Sequence, residues 1–523
     1  MAKTQPTIES PEVDKLTTIL EEATRSTKEG AKYFLEPAQG TLSRGLSRRH
    51  HIIFGRRGSG KSSLLNKILN DFNTSRLPVA YVDLETFKGH SYPDVLVSIL
   101  IKTLDAYRGW LETSAIKPST QKSWWQRLWG AVPTARAHNK KRGLGLVRQA
   151  ENLADELKSV LMSPEESSRS ATLLGAITST SGVKASLTTS PIPILSGNVE
   201  ASQESLEHRS SQQTDIYQSR KIEFIHRKIL DFKNFFVELS EYANGPSFLL
   251  LDDLYHIRPA DQASVLDYFH RITKGTNTWL KVGTIRHRTI WYLPGSPPMG
   301  IKLGDDADEI DLDVTLEKYS LTKAFLIKIL EQFCRQVGIR TADLVSEGAR
   351  DRLVLASGGV ARDFLSLVRK SIEICRQRLA EGDEFRGSRI GAEDVNKAAG
   401  ELDAFKQEDF RRDTSSDEEA VLKSFFADIR VYCLDTTKTN CILVDKDSNG
   451  GRVDMVKELV DLKFLHHVRG RVTVRDKPGK IYEAYMLDIS QYSGERKRRN
   501  FDLIEFWEQG GDEKLRRGRL IFA

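Results

Sequence analysis

Between His51 and Ile285 the apolar residues of this chain alternate between two periods. Short apolar runs at His51–Phe54 (HIIF), Val79–Leu84 (VAYVDL), Ser247–Leu251 (SFLLL) and Trp279–Ile285 (WLKVGTI) have the length of buried strands. Between them, apolar positions return every three or four residues. They do so in SSLLNKILNDF, in Tyr92–Tyr107 (with Val95, Val97, Leu100 and Leu104) and in Gln262–Thr273, which predicts helices. Strand, helix and strand in this order predict an α/β fold with a parallel sheet. From about 320 to 410 the period is helical throughout.

The ends and the middle depart from this plan. Residues 1–45 read as a polar extension, apart from an amphipathic helical stretch at Val13–Thr24 and the segment YFLEP. Residues 111–215 interrupt the core. Helical spacing at Arg142–Met162 and Arg220–Tyr242 brackets a Ser-, Thr- and Gly-rich stretch, as if two antiparallel helices carried a hairpin or loop at their tip. An interruption of about 100 residues is too long for a structureless loop. Its tryptophans Trp124, Trp125 and Trp129, interleaved with Lys122 and Arg127, suit either a docking surface for a partner protein, nucleic acid or lipid headgroups, or a small satellite core. After 413, a predicted helix at Arg452–Phe464 precedes two alternating strands in His466–Tyr485 around a Lys-Pro-Gly turn.

Composition adds bounds. At 523 residues the chain exceeds one ordinary core, so several domains are expected. Its 39% hydrophobic and 29% charged residues are globular values, and the formal charge of +6 permits a nucleic-acid partner without requiring one. The four cysteines, Cys334, Cys375, Cys433 and Cys441, form no C-x-x-C pair and read as reduced thiols rather than a zinc site. No signal peptide and no apolar run of membrane-spanning length is seen, which places the expected location in the cytoplasm.

The chemistry is concentrated after the first strand. Gly55-Arg56-Arg57-Gly58-Ser59-Gly60-Lys61-Ser62 satisfies G-x-x-x-x-G-K-[ST] in full, and Ser63 follows at the start of the helix. Glycines let backbone N–H groups curl around phosphates, the Lys61 ammonium offsets β- and γ-phosphate charge, and the Ser62 hydroxyl is a Mg²⁺ ligand. Such a loop needs an acidic partner at the end of a neighbouring strand, and SFLLL ends in Asp252-Asp253. Asp252 is the expected Mg²⁺ ligand. Asp253 either orients and deprotonates the attacking water or serves only as the N-cap of the next helix. Thr284 and Arg286, where the strand Trp279–Ile285 ends, are candidate sensors of the γ-phosphate.

In the helical block, Ser357-Gly358-Gly359-Val360-Ala361-Arg362-Asp363 forms a turn that opens a helix. Here the chain resembles the AAA+ ATPases of the origin-recognition/initiator branch, which are related to the STAND-type P-loop ATPases. The resemblance implies that Arg362 is the second sensor arginine, in a helical lid over the nucleotide. Arg271 and Lys274 are candidates for a finger acting on a neighbouring subunit, although no motif assigns them. In that branch a C-terminal winged helix binds duplex DNA. The resemblance therefore makes Arg469, Arg471, Arg475, Lys477 and Lys480 candidate DNA contacts on the wing, near the basic run Arg496–Arg499; winged helices also serve as protein-docking modules.

The reading is a P-loop core at 46–110 and 216–315, a lid at 316–412 and a winged-helix-like domain at 413–523. It implies an ATP hydrolase using ATP and Mg²⁺, associated with duplex DNA and self-assembling on ATP binding, with a protein partner at the insertion as a further expectation. The alternatives are a STAND-like signalling ATPase sensing a protein ligand and a non-hydrolysing nucleotide-binding scaffold.

Overall fold

Five parallel strands form the central sheet, in the order β2 (Val79–Asp83), β3 (Ser247–Asp252), β4 (Thr278–Thr284), β1 (His51–Phe54) and β7 (Asp308–Asp311). The computed structural model describes residues 8–25, 30–116, 140–182, 219–383, 385–413, 416–447, 450–493 and 501–522. The three clustered tryptophans, the run Arg496–Arg499 and residues 183–215 of the Ser/Thr/Gly-rich stretch lie outside the described residues.

Successive side chains of a strand point to opposite faces, and the two faces of this sheet are covered differently. Ile53, Phe248 and Leu250 meet Leu64, Leu65, Ile68 and Phe72 of the Lys61–Thr74 helix, with Phe72 stacked on Phe248 at 3.7 Å. Ile52, Phe54, Leu249 and Leu251 face a second cluster, built from the helices Asp94–Ile116, Lys140–Gly182, Ile229–Ala243 and Pro259–Thr273. The result is a helix–sheet–helix sandwich. The expected strands and helices of the core are present, with bounds shifted by a few residues except that the helix expected at Tyr92–Tyr107 runs on to Ile116.

Two expectations about the insertion change. Residues 165–182 continue the Lys140–Gly182 helix where a hairpin or loop was expected. Leu146, Val147, Ala150, Leu153 and Leu157, inside the 111–215 span, are buried in the core cluster. The antiparallel pairing holds: Arg142 meets Glu241 at one end and Lys228 meets Glu156 at the other.

The lid consists of the helices Tyr319–Gln336, Thr341–Leu344, Glu347–Ser357, Ala361–Ala380 and Ala392–Asp413. It shares one hydrophobic cluster with the N-terminal helix Pro11–Ala23 and with the C-terminal segment. That segment carries the helices Ser416–Val431 and Gly450–Asp461 and an antiparallel sheet in the order β8 (Cys441–Asp445), β10 (Tyr482–Leu487), β9 (Leu465–Val472). A third strand, β8, thus joins the expected pair. A small hairpin, β5 (Tyr292–Leu293) and β6 (Met299–Gly300), follows β4. All four cysteines are buried free thiols. Among the described residues, no helix is long and apolar enough to cross a membrane.

Candidate active site

The glycine loop connects β1 to the Lys61–Thr74 helix, at the end of the sheet where all five strands terminate. Gly58 and Gly60 hold φ of 89° and 100°, left-handed values that turn the backbone around a concave space. The helix starts directly at Lys61, whose preceding residue makes no side-chain cap. Its first N–H groups are therefore available to an anion. The buried Lys61 Nζ donates to the carbonyls of Gly55 at 2.8 Å and Arg56 at 3.3 Å. Burial lowers its pKa, while Asp253 and then Asp252 hold the charge in place. Ser59 Oγ is buried with no hydrogen-bond partner, a polar atom left for a ligand of the loop.

The acidic strand is not the neighbour of β1, as expected from sequence, but the next but one: β4 lies between them. Asp252 nonetheless reaches across. A Cβ at Gly283 in β4 would stand 2.7 Å from Asp252 Oδ1, so only glycine leaves the carboxylate room to lean toward the loop. There the Ser62 hydroxyl lies close enough to favour the charged form of the Asp252 carboxylate. Tyr81 Oη donates to Oδ2 at 2.8 Å, and the Asp253 N–H to Oδ1 at 3.0 Å. Burial first, and then the charge of Asp253, raises the Asp252 pKa.

Asp253 has φ 55° and ψ 48°, a left-handed conformation that costs a non-glycine residue about 1–2 kcal/mol. It occupies the N-cap position of the short turn Leu254–His256, yet its side chain makes no cap hydrogen bond. Burial raises its pKa, the field of Lys61 opposes that rise, the carboxylates of Asp83 and Glu85 add to it, and Arg362 opposes it least.

The lid closes the other side. The Arg362 N–H donates to the Gly58 carbonyl at 3.3 Å, placing the Gly-Gly turn and the Ala361–Ala380 helix directly on the loop. Tyr33, Phe34 and Leu35 from the YFLEP segment, with Phe325, Ile329 and Phe333 of the lid, line a cleft that also contains Gly58, Ser59, Gly60, Ser63 and Arg362.

Other expected residues are placed differently. The Arg56 side chain leaves the loop's interior, pairing with Asp313 at 3.3 Å and donating to the carbonyls of Val314 and Gly358 at 3.1 Å. Its backbone is engaged as well, the N–H donating to Asp313 Oδ1 at 2.8 Å, so Arg56 acts here as a tie between the loop and the segment after β7. Thr284 ends β4 beside Phe54, but its hydroxyl is engaged by Thr289 at 2.5 Å. Arg286 stacks on Phe54 and pairs with Glu309 at 3.0 Å. Arg271 lies in the last turn of the helix that leads from the carboxyl end of β3 back to the start of β4, where it pairs with Asp267; Lys274 pairs with Asp306. Both sit at the end of the sheet opposite the loop. In the C-terminal segment, Arg469 pairs with Asp512 and Lys480 with Asp445, while Arg471, Arg475 and Lys477 are exposed.

Sequence reasoning missed Tyr81, Gly283 and the N-terminal aromatics, because nothing in the loop's motif points to residues so far along the chain. For Tyr81 a signal existed: it lies two positions before the end of the strand that pairs with the acidic one.

No family model and no curated protein matches the chain. Among solved structures, it is similar to the Walker-type ATPase PABY2304 of Pyrococcus abyssi, at 12% identity and a TM-score of 0.39, covering 91% of this chain and 93% of that one. It is also similar to the Orc1 protein of Aeropyrum pernix, solved in complex with DNA, at 13% identity and a TM-score of 0.33, covering 93% of this chain and 92% of that one. Superpositions this loose leave the functional argument to the residues themselves.

Proposed function

We propose that this chain is a P-loop ATPase that acts as an ATP-dependent switch associated with duplex DNA. The observation that carries the ATPase reading is the meeting of Ser62 and Asp252 across Gly283, at the mouth of a complete phosphate loop. Hydroxyl and carboxylate form the hard oxygen pair that Mg²⁺ prefers, so these two residues would hold the ion. Bound there, Mg²⁺ supplies charge neutralisation on the β- and γ-phosphates.

The chain's own groups do the rest. Backbone N–H groups of the loop and the Lys61–Thr74 helix receive the phosphates, and Lys61 exchanges its carbonyl partners for phosphate oxygens. Asp253 orients the attacking water and accepts its proton, a task favoured by burial that raises its proton affinity. Arg362 reaches the γ-phosphate from the lid and makes lid position depend on nucleotide. The aromatic cleft of Tyr33, Phe34 and Phe333 receives the base. Arg271, too far round the sheet to serve its own site, would act only on a neighbouring copy in an ATP-dependent oligomer. The exposed Arg471, Arg475 and Lys477 would contact DNA phosphates on a winged-helix-like module.

The test is phosphate release from Mg-ATP with and without duplex DNA. Hydrolysis stimulated by DNA is expected. Changing Arg471, Arg475 and Lys477 together to Ala should flatten the dependence of log K on log salt by up to about 2.7 units, at roughly 0.9 per phosphate contact. Hydrolysis indifferent to DNA, with an unchanged salt slope in the triple variant, would remove DNA from the proposal and favour a signalling ATPase that senses a protein.

A further inference from the structure

Within nine consecutive residues of the C-terminal segment, 458–466, four side chains touch elements around the phosphate loop. At the end of the Gly450–Asp461 helix, Glu458 and Asp461 meet His287 and Arg288, which follow β4 by three and four residues. His287 Nε2 lies 3.0 Å from Asp461 and 3.5 Å from Glu458, and Arg288 is hydrogen-bonded to Glu458 and lies 3.5 Å from Asp461. Burial opposes a charge on His287, but its bonds to Asp461 and Glu458 prevail and raise its pKa to about 9. Two basic side chains therefore face two acidic ones. Next, Lys463 Nζ bonds Asp363 at 2.7 Å, one residue from Arg362. Finally, His466 packs beneath the Gly-Gly turn: a Cβ on Gly358 would stand 2.0 Å from its Nδ1. The carbonyl of that same Gly358 is held by Arg56 of the loop.

Asp461 is buried, and its field is the last of those, after Asp253, Asp252 and Asp313, that favour the charge on Lys61. A carboxylate that stabilises Lys61 before nucleotide binds must repel a phosphate that arrives to do the same. We propose that residues 458–466 are an acidic gate on the phosphate end of the nucleotide site, closed by the pairing of Glu458 and Asp461 with His287 and Arg288 and opened by the γ-phosphate of ATP. The proposal rests on the ATP-site reading above. Because 458–466 runs directly into β9, which carries Arg469 and Arg471 toward the wing, opening the gate changes the footing of the wing. By linkage, a ligand on the wing biases nucleotide binding equally.

The experiment uses the full chain, wild type and Glu458→Gln/Asp461→Asn, with the gentler Glu458→Gln alone as a second variant. It measures Mg-ATP-analogue and Mg-ADP affinity together with amide hydrogen exchange across 458–472. In wild type, the ATP analogue should speed exchange in 458–466 and ADP should not. In the double variant that segment should exchange fast without nucleotide, and the ATP analogue should bind at least about fivefold tighter, with a smaller gain in Glu458→Gln. Normal nucleotide binding with exchange at 458–466 indifferent to it, or unchanged affinity in both variants, overturns the gate alone. Absence of nucleotide binding in every protein overturns both the gate and the site it guards.

Discussion

Tyr81 illustrates how much of this site is decided by one hydroxyl. Asp252 must present an oxygen beside Ser62 while standing buried in a sheet, two strands away from the loop it serves. Its Oδ2 is held by Tyr81 and its Oδ1 by the Asp253 N–H, which together leave the carboxylate little freedom to rotate. Groups that orient a metal ligand in this way typically contribute one to two orders of magnitude to metal affinity. Tyr81→Phe should therefore weaken the Mg²⁺ dependence of nucleotide binding by about tenfold and leave metal-free nucleotide binding unchanged. Isothermal titration with and without Mg²⁺ would read both quantities, and equal losses in the two would mean that Tyr81 only packs. The neighbouring Asp253 carries a different cost. Its left-handed backbone is retained although its side chain caps nothing, and the carboxylate lies within the field of Lys61.

Among the elements, the helix Lys140–Gly182 most changes the picture drawn from sequence. Leu146, Leu153 and Leu157 recur along one face and are buried with Tyr107, Phe235 and Phe236 in the cluster under the sheet. Leu157→Ala should lower unfolding stability by about 2–5 kcal/mol, as removal of a buried leucine does in a core that cannot collapse. Denaturant unfolding would check it; a cost within about 0.5 kcal/mol would make this stretch a surface addition. The strands β1 to β4 were legible because each is a continuous apolar run flanked by turns. By contrast β7 reads DEID, an edge strand too short and too acidic to register, and β8 sits alone between helices with no partner run nearby. The phosphate loop was equally legible, since its residues are contiguous and its chemistry is backbone chemistry. Gly283, Tyr81, Phe34 and Asp461 were not, because each joins the site only through tertiary packing.

At the scale of the whole molecule, two bodies meet at the proposed nucleotide site. The sheet with its covering helices supplies Lys61, Ser62, Asp252 and Asp253, while the lid supplies Arg362. The lid shares a continuous core with the N-terminal helix and the C-terminal segment, which joins the three into one packed body. The bodies touch through charged and backbone contacts at Arg56, Arg288 and Arg362, which a phosphate anion can rearrange at little cost in buried apolar surface. Binding of nucleotide between the bodies is the central claim, and Lys61 tests it most directly. Titration of wild type and Lys61→Ala with a fluorescent ATP analogue in Mg²⁺ should give affinity lower by about 100-fold in the variant, the equivalent of about 3 kcal/mol for a lost charge-assisted hydrogen bond, with the thermal unfolding of the two proteins alike. Equal affinity in a folded Lys61→Ala protein would contradict the account.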